Sequence, residues 1–384
     1  MKQRVIVLGS TGSIGCGALD VLSNLADEFE VVALAAGSGI DKLAAQANRF
    51  TPSRVAIADA AGADDLTAAL NYDADVLAGD GALTALIDGT PCECVVCGVV
   101  GACGLAATLR AVESGRRVAL ANKEALVIAG SLLMPLAIRT GATVIPIDSE
   151  HSGVFQALRA GRPIDVRRIY LTASGGPFRT ASVEAMKNAT LEDALRHPTW
   201  TMGQKVTIDS ATMMNKALEI VEAKWLFSLE PEAIDVVVHP ESIIHALVEF
   251  VDGSMVAQLG TPDMRTPIQY ALTYPGRRRG PAPALNLRAL GGLTLEPPDP
   301  ERFPALRLGH RVARVGGTAG AVMNAANEAA VELFQSGQIG FCDIARYTER
   351  VLDEHEVVMT PTLDELMAAD RWARGALHQC MACS

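Results

Sequence analysis

Asp148 and Glu150 stand two residues apart in Ile147-Asp-Ser-Glu-His151, directly after a β-rich run at 143–147. In extended backbone, residues two apart face the same way. Two carboxylates on one side need a cation or a shared proton to coexist cheaply. A third acid, Glu219, closes the stretch Ile208-Asp-Ser-Ala-Thr-Met-Met-Asn-Lys-Ala-Leu-Glu219. Asp148, Glu150 and Glu219 together make an all-oxygen donor set, which selects a hard ion such as Mg2+ or Mn2+. Without Glu219, the first two acids read equally well as a solvated loop pair.

The stretch at 208–227 is expected to be one helix with Asp209 or Ser210 as its cap. Thr212, Asn215, Glu219 and Glu222 then share one side, with Lys216 at its edge, and Met214, Leu218 and Val221 face a core. The plain reading is a surface helix with a solvated polar face. Hydroxyls, an amide and a Lys at a helix start also suit an oxyanion, and Glu219 one turn later suits a cation. Further on the N-terminal side, Ala173-Ser174-Gly175-Gly176-Pro177 is a turn whose hydroxyl and amides suit a phosphate. Arg196-His197-Pro198-Thr199-Trp200-Thr201-Met202-Gly203 reads as a mobile aromatic-tipped loop, the usual form of a lid.

A second kind of chemistry sits at the start of the chain. Gly9-Ser-Thr-Gly12-Ser-Ile-Gly15 follows a strand and opens a helix, a variant of the dinucleotide fingerprint in which backbone approaches a pyrophosphate. The alternative is a glycine-rich turn kept for close helix–strand packing. The second strand ends at Ala36-Gly37-Ser38-Gly39, with no acid for a ribose 2′-hydroxyl, so NADP is expected over NAD. No base stands there either. Lys42 is expected to point out from its helix, and Arg54 has no assignable position, so the preference for NADPH is expected to be modest. In Val118-Ala-Leu-Ala-Asn122-Lys123-Glu124, Asn122 and Glu124 suit a helix start, and Lys123 puts a cation at the mouth of the cofactor cleft.

These residues need elements to hold them. Residues 1–150 alternate β-rich runs (5–8, 31–35, 54–58, 75–77, 94–99, 118–121 and 143–147) with helical patterns such as 14–25 and 105–113, which predicts a parallel sheet covered on both faces. Runs at 246–251 and 254–259 around Asp252-Gly253 predict an antiparallel hairpin with a two-residue turn. Residues 277–304 are rich in Pro, Arg and Gly and read as a connector. Helical patterns at 321–334, 342–354 and 363–372 fill the rest. The expected class is therefore α/β. It comprises a Rossmann-type NADP-binding domain at 1–150, an α+β catalytic domain at 151–276 with its own sheet, and a C-terminal helical domain at 305–384.

Composition narrows the partners. A formal net charge of −11 over 384 residues disfavours nucleic acid and anionic membranes. No apolar run is long enough to span a bilayer, and the first residues, Met-Lys-Gln-Arg, lead straight into a strand without a leader, so a cytoplasmic protein is expected. Cys92, Cys94, Cys97 and Cys103 lack paired C-x-x-C spacing and are read as small buried hydrophobes. Cys380 and Cys383 read as a frayed tail.

Taken in order, the motifs resemble the 1-deoxy-D-xylulose 5-phosphate reductoisomerase family: Gly9 to Gly15, Ala121-Asn-Lys-Glu124, Ile147 to His151, Ala173 to Pro177, His197-Pro-x-Trp200, Asp209-Ser-Ala-Thr-Met-Met-Asn-Lys216-x-Leu-Glu219 and Gly260-x-Pro-Asp-Met-Arg-Thr-Pro267. The resemblance implies an NADPH-dependent enzyme using Mn2+ or Mg2+ on a small phosphorylated sugar, acting as a homodimer. It implies that Thr11, Gly12, Ser13, Ile14, Gly37, Asn122, Glu124 and Gly203 contact NADPH, and that Asp148, Glu150 and Glu219 hold the metal. It further implies Ser174, Ser210, Asn215 and Lys216 at the substrate phosphate, and Lys123, Ser149 and His197 around the sugar, with Lys123, Glu150 and His197 catalytic. The implied chemistry is a metal-assisted skeletal rearrangement followed by hydride reduction. Another NADP-dependent dehydrogenase, or a non-catalytic nucleotide sensor, would have no use for the three acids beside a phosphate cradle. One departure stands out, since relatives place a Lys or Arg and an Asn where this chain has Ser38 and Gly39.

Overall fold

Short apolar runs bounded by Gly, Asp and Ser become seven parallel strands: β1 (Gln3–Leu8), β2 (Phe29–Ala36), β3 (Arg54–Ile57), β4 (Asp75–Ala78), β5 (Cys94–Cys97), β6 (Arg117–Leu120) and β7 (Thr143–Pro146). A computed structural model describes residues 1–382. The chain folds into two compact units, the first comprising Met1–Ala125, Leu133–Ser152 and Asp263–Pro283 and the second the remainder. The strand order in the first unit is β4-β3-β2-β1-β5-β6-β7. The central strands β1 and β5 are buried along Val5–Leu8 and Cys94–Cys97, which is why they read as unbroken apolar runs rather than alternating ones. The chain runs outward from β1 to β4 and then returns to β5 on the other side of β1. The switch point, where open α/β sheets bind ligands, therefore lies at the C-terminal ends of β1 and β5.

Helix α1 (Ser13–Asn24) follows β1 and buries Gly15, Ala18, Leu19, Val21 and Leu22. Helix α2 (Ile40–Phe50) follows β2 and buries Leu43, Ala44 and Ala47. The chain returns to this unit at Asp263–Pro283, a segment the sequence reading divided between the middle domain and the connector. Its helix Arg265–Thr273 meets α1, where a Cβ on Gly17 would lie 3.0 Å from Ile268 Cδ1.

The second unit contains a four-stranded sheet in the order β11-β10-β8-β9, with β8 (Val166–Ala173) parallel to β9 (Ile234–Val238) and antiparallel to β10 (Ile244–Phe250). Strand β11 (Met255–Leu259) pairs with β10 as the expected hairpin. Its turn differs from expectation. Phe250 N donates to Ser254 O at 2.9 Å, Gly253 N donates to Phe250 O at 2.9 Å, and Gly253 has φ +85°, so three residues span the turn and the glycine takes the left-handed position. Helix Met214–Phe227 packs against helix Ala305–Val315 and the sheet, and helices Ala319–Gln335, Asp343–Asp353 and Leu363–Ala382 pack together. The segment Leu126–Leu132 also belongs here. It approaches through glycines: a Cβ on Gly130 would fall 2.3 Å from the Trp225 ring, and one on Gly320 would fall 2.0 Å from Val127 O.

Cys92 and the two cysteines of β5 are buried as expected, but Cys103 is exposed, on the loop after β5. Burial pushes both the Cys94 and Cys97 thiols up to about 12. Cys380 is not in a frayed tail. It lies in helix Leu363–Ala382 at 2% exposure, because the apolar stripe of that helix continues to its end. Cys383 lies outside the described residues.

Candidate active site

In the first unit, the glycine turn shows which glycine serves which purpose. Gly9 has φ +74°, and a Cβ there would lie 2.6 Å from Gly98 O. A Cβ on Gly15 would lie 2.3 Å from Gly9 O and 2.4 Å from Ser10 Cα. These two glycines let strand, turn and helix close on one another. Gly12 is different: it is exposed, it caps α1 without a side-chain bond, and a Cβ there would meet Gly9 O at 3.3 Å. The amides of Ser13 and Ile14 at the start of α1 belong to the set with no partner inside the helix, a ready seat for a pyrophosphate. Thr11 and Gly12 lie on this turn, and Ser13 and Ile14 open the helix that follows it. Gly37 is exposed at the end of β2, and a Cβ on it would meet nothing within 4 Å.

Two residues depart from expectation here. Lys42 does not point away from its helix: Lys42 Nζ donates to Thr11 O at 2.6 Å, reaching back onto the glycine turn. Arg54 stands at the N-terminal end of β3, the edge opposite the ligand-binding one, and pairs with Asp75 at 3.1 Å. The Asn122 side chain is a helix cap, accepting from Ala125 N at 3.0 Å and donating to Gly101 O at 3.0 Å. That bond ties β6's end to the loop after β5, at the cofactor crevice. Glu124 is buried in the first turn that follows.

Lys123 comes next to Asp148, Nζ to Oδ2 at 2.5 Å, with both side chains nearly buried. Burial alone would raise the Asp148 carboxyl. The charges of Lys123 and His151, with hydrogen bonds from Glu150 and Lys123, outweigh that and hold it well below the usual carboxylate range. The surroundings of Asp148 thus favour its charged form. The backbone here is not extended. Strand β7 stops at Pro146, Ser152 N donates to Asp148 O at 2.8 Å, and Glu150 lies in the first turn of helix Ser149–Ala157. The two acids meet through a helix start rather than through strand alternation, and Ser149 Oγ donates to Glu150 Oε2 at 2.5 Å.

The second unit holds the other acid. The stretch at 208–227 is two helices, Gln204–Ala211 and Met214–Phe227, broken at Met213, whose φ is +61°. Asp209 and Ser210 therefore end the first helix and cap nothing. Asp209 is 1% exposed and is held by Lys205 Nζ at 2.8 Å and Asn327 Nδ2 at 2.8 Å, which makes it a structural acid. The second helix is no surface helix, since Met214 and Lys216 to Ala223 are all buried. Glu219 is fully buried, with Lys216 Nζ at 2.5 Å and Asn215 Nδ2 at 2.5 Å on its two oxygens. Lys216 and Asn215, expected at the phosphate, here touch the acid one turn on.

Ser174, Ser210 and His197, expected at the substrate, gather around one turn. Gly175 and Gly176 take φ +83° and +63°, and a Cβ on Gly176 would lie 2.8 Å from Ser210 O, so this turn seats on the end of helix Gln204–Ala211. Ser174 Oγ accepts from Gly176 N at 3.2 Å and lies 3.0 Å from His197 Nε2. His197 Nδ1 accepts from Thr199 N at 3.1 Å and Trp200 N at 2.8 Å. With Nδ1 an acceptor, the neutral ring carries its proton on Nε2 and donates it toward Ser174. Gly203 is the exposed start of helix Gln204–Ala211. Sequence reasoning misdirected Lys42 and passed over the fully buried His151, whose Nδ1 lies 4.0 Å from Asp148 Oδ1. His151 stood inside a quoted motif, but no periodicity pointed it at an acid.

Trp200 is half-buried with its ring 6.4 Å from His245. Trp200→Ala is expected to raise KM for a sugar phosphate several-fold while leaving the NADPH dissociation constant unchanged, because a lid acts by enclosing substrate. Steady-state kinetics beside cofactor titration checks this, and an unaltered KM would make the tip a plain surface aromatic.

Comparison with known proteins agrees over nearly the whole length. A family model described as 1-deoxy-D-xylulose 5-phosphate reductoisomerase matches residues 5–130. Two C-terminal models of DXP reductoisomerase match residues 144–227 and 259–376. The 1-deoxy-D-xylulose 5-phosphate reductoisomerase of Symbiobacterium thermophilum is 51% identical with 99% of each chain covered. That of Pelodictyon phaeoclathratiforme is 49% identical over 97% of this chain and 98% of its own. A Zymomonas mobilis 1-deoxy-D-xylulose 5-phosphate reductoisomerase solved in complex with NADPH superposes with a TM-score of 0.94 at 43% identity, covering 99% of each chain. A DOX-P reductoisomerase in complex with NADPH, fosmidomycin and magnesium gives a TM-score of 0.93 at 38% identity, covering 99% of this chain and 98% of that one.

Proposed function

This chain belongs to the 1-deoxy-D-xylulose 5-phosphate reductoisomerase family, and from that premise we propose how its own residues divide the work. The reaction is the NADPH- and divalent-metal-dependent rearrangement and reduction of 1-deoxy-D-xylulose 5-phosphate to 2-C-methyl-D-erythritol 4-phosphate, a step of the non-mevalonate isoprenoid pathway. The observation that carries the residue assignment is the state of two acids. Asp148 and Glu219 are carboxylates nearly or fully withdrawn from water, each against a lysine. Buried acids held against cations in this way suit a site that must receive a hard cation.

We assign Asp148, Glu150 and Glu219 as the metal ligands. The ion supplies a Lewis acid for two neighbouring oxygens of the sugar when bound, and NADPH supplies the hydride. Thr11 to Ile14 seat the pyrophosphate, supported by the open helix start after Gly12. Gly37, Asn122, Glu124 and Gly203 line the rest of the cofactor's path, with Asn122 acting through the cap it makes. Ser174 and Ser210 orient the substrate phosphate, supported by the close seating of the Gly175-Gly176 turn. Asn215 and Lys216 join them from the start of helix Met214–Phe227. His197 Nε2–H donates to a sugar oxygen in place of Ser174. Lys123 Nζ, beside Asp148, donates to an oxygen that gains charge, and Glu150 with Ser149 takes or returns a hydroxyl proton.

A cytoplasmic homodimer belongs to the same proposal. Cys94 and Cys97 are kept as buried thiols, as suits a reducing compartment, and β11 is an edge strand with Met255 51% exposed, suited to pairing with a second copy. Among the described residues no helix is long and apolar enough to cross a membrane.

The assay follows reduced-nicotinamide absorbance with 1-deoxy-D-xylulose 5-phosphate, NADPH and Mg2+. Oxidation is expected with the metal, is expected to vanish with a chelator, and is expected to return with Mn2+ or Mg2+. Oxidation that persists after complete chelation would overturn the metal assignment.

A further inference from the structure

We propose that Lys42 grips the 2′-phosphate of the cofactor and sets the preference for NADPH over NADH. The proposal rests on the reading that the glycine turn holds the dinucleotide. The chain has no base at Ser38 or Gly39, where the second strand ends. In Rossmann folds the pyrophosphate lies at the first βα turn, and the ribose is read near the end of the second strand. A side chain that discriminates the 2′-phosphate must therefore present charge between those two places.

Lys42 does so. It lies in the first turn of α2, and its Nζ reaches Thr11 O at 2.6 Å. One helical turn further, Gln46 Nε2 donates to Ser10 O at 2.9 Å. Residues four apart share a helix face, so this face of α2 lies against the Gly9–Gly15 turn. The gap between the turn and the strand end is small, since a Cβ on Gly39 would lie 4.0 Å from Thr11 Oγ1. Gly37, Ser38 and Gly39 are exposed, and beside Gly37 there is open space. An ammonium has three donors, and Thr11 O engages one. Lys42 is itself exposed, so its reach can adjust by the length of a flexible stem.

The neighbouring charges do not cancel it. Asp41 is adjacent in sequence, and adjacent helix residues do not face each other. Asp59, after β3, turns its carboxylate onto Ala61 N at 3.0 Å. Of the other basic residues nearby, Arg49 donates to Ser23 Oγ at 2.7 Å from the last turn of α2, and Arg54 is paired with Asp75 at the opposite sheet edge.

The test uses binding alone. NADPH and NADH are titrated calorimetrically into the wild-type chain, Lys42→Ala and Lys42→Arg. A charge-assisted contact at an exposed site supports roughly a tenfold effect, so Lys42→Ala should weaken NADPH about that much, leave NADH unchanged, and be largely rescued by Lys42→Arg. Equal weakening of both nucleotides would mean that Lys42 only braces Thr11, and would overturn the proposal. So would an NADPH preference that survives Lys42→Ala. Failure of the underlying cofactor reading looks different, because the wild-type chain would then bind neither nucleotide at the turn.

Discussion

Replacing Glu219 with glutamine should abolish turnover while leaving NADPH affinity intact. Glu219 is fully buried, with Lys216 and Asn215 each 2.5 Å from one of its oxygens. Glutamine keeps the shape but removes the charge and turns an amide donor toward one of those two donors. On the proposed assignment, a divalent ion would then lose one of three carboxylates that balance it. Metal stabilisation of developing charge amounts to several kcal/mol, so kcat should fall about a thousandfold or more. Glu219 is not among the residues assigned to NADPH, which is why NADPH titration should be unmoved. The substitution also alters a fully buried contact with Lys216, so thermal unfolding must be followed beside activity. A folded Glu219→Gln protein that turned over at the wild-type rate in Mg2+ would remove Glu219 from the metal site.

The second large effect is expected at Gly15. A Cβ there would sit 2.3 Å from Gly9 O and 2.4 Å from Ser10 Cα, both backbone atoms that cannot swing aside. Gly15→Ala must therefore push α1 away from the turn. Overpacking of this kind costs about 1–3 kcal/mol and occasionally more. The shift also moves the amides of Ser13 and Ile14, so NADPH affinity should fall by roughly two powers of ten, equivalent to about 3 kcal/mol. Gly12→Ala is the informative comparison. Its Cβ would meet Gly9 O at 3.3 Å, a contact that a small adjustment relieves. It should fold normally and lose affinity only through crowding of the pyrophosphate. Calorimetric titration and unfolding midpoints for both variants check this, and equal midpoints would mean the turn yields more easily than its packing implies.

The seven strands of the first unit fell within a residue or two of their runs because each is a short apolar segment closed within two residues by Gly, Asp or Asn. The misreadings share a cause in longer-range structure. At Asp148 the strand-end pattern hid a helix start, although an Asp just before a helix and a Glu in its first turn are themselves N-terminal signals. At Met213 nothing local marks a break, because Ala-Thr-Met-Met-Asn contains no glycine or proline. Packing holds Met213 in a conformation that a bulky residue rarely takes. Lys42 was legible as a helix residue, but its partner Thr11 lies 31 positions away and only the fold brings it near. Asp209 shows the converse. Sequence made it a cap, and a lysine one turn earlier together with Asn327 made it a buried anchor.

The empty space required beside Gly130 has an evolutionary corollary. Because a Cβ there would occupy the Trp225 ring, the two positions are not independent variables. A large aromatic at 225 is admissible only with glycine at 130, and any larger residue at 130 demands a smaller one at 225. Mutating either site singly samples only the losing combinations, whereas exchanging both together can preserve volume. Natural variation at 130 and 225 is thus expected to be epistatic, with tolerated alternatives arriving as pairs.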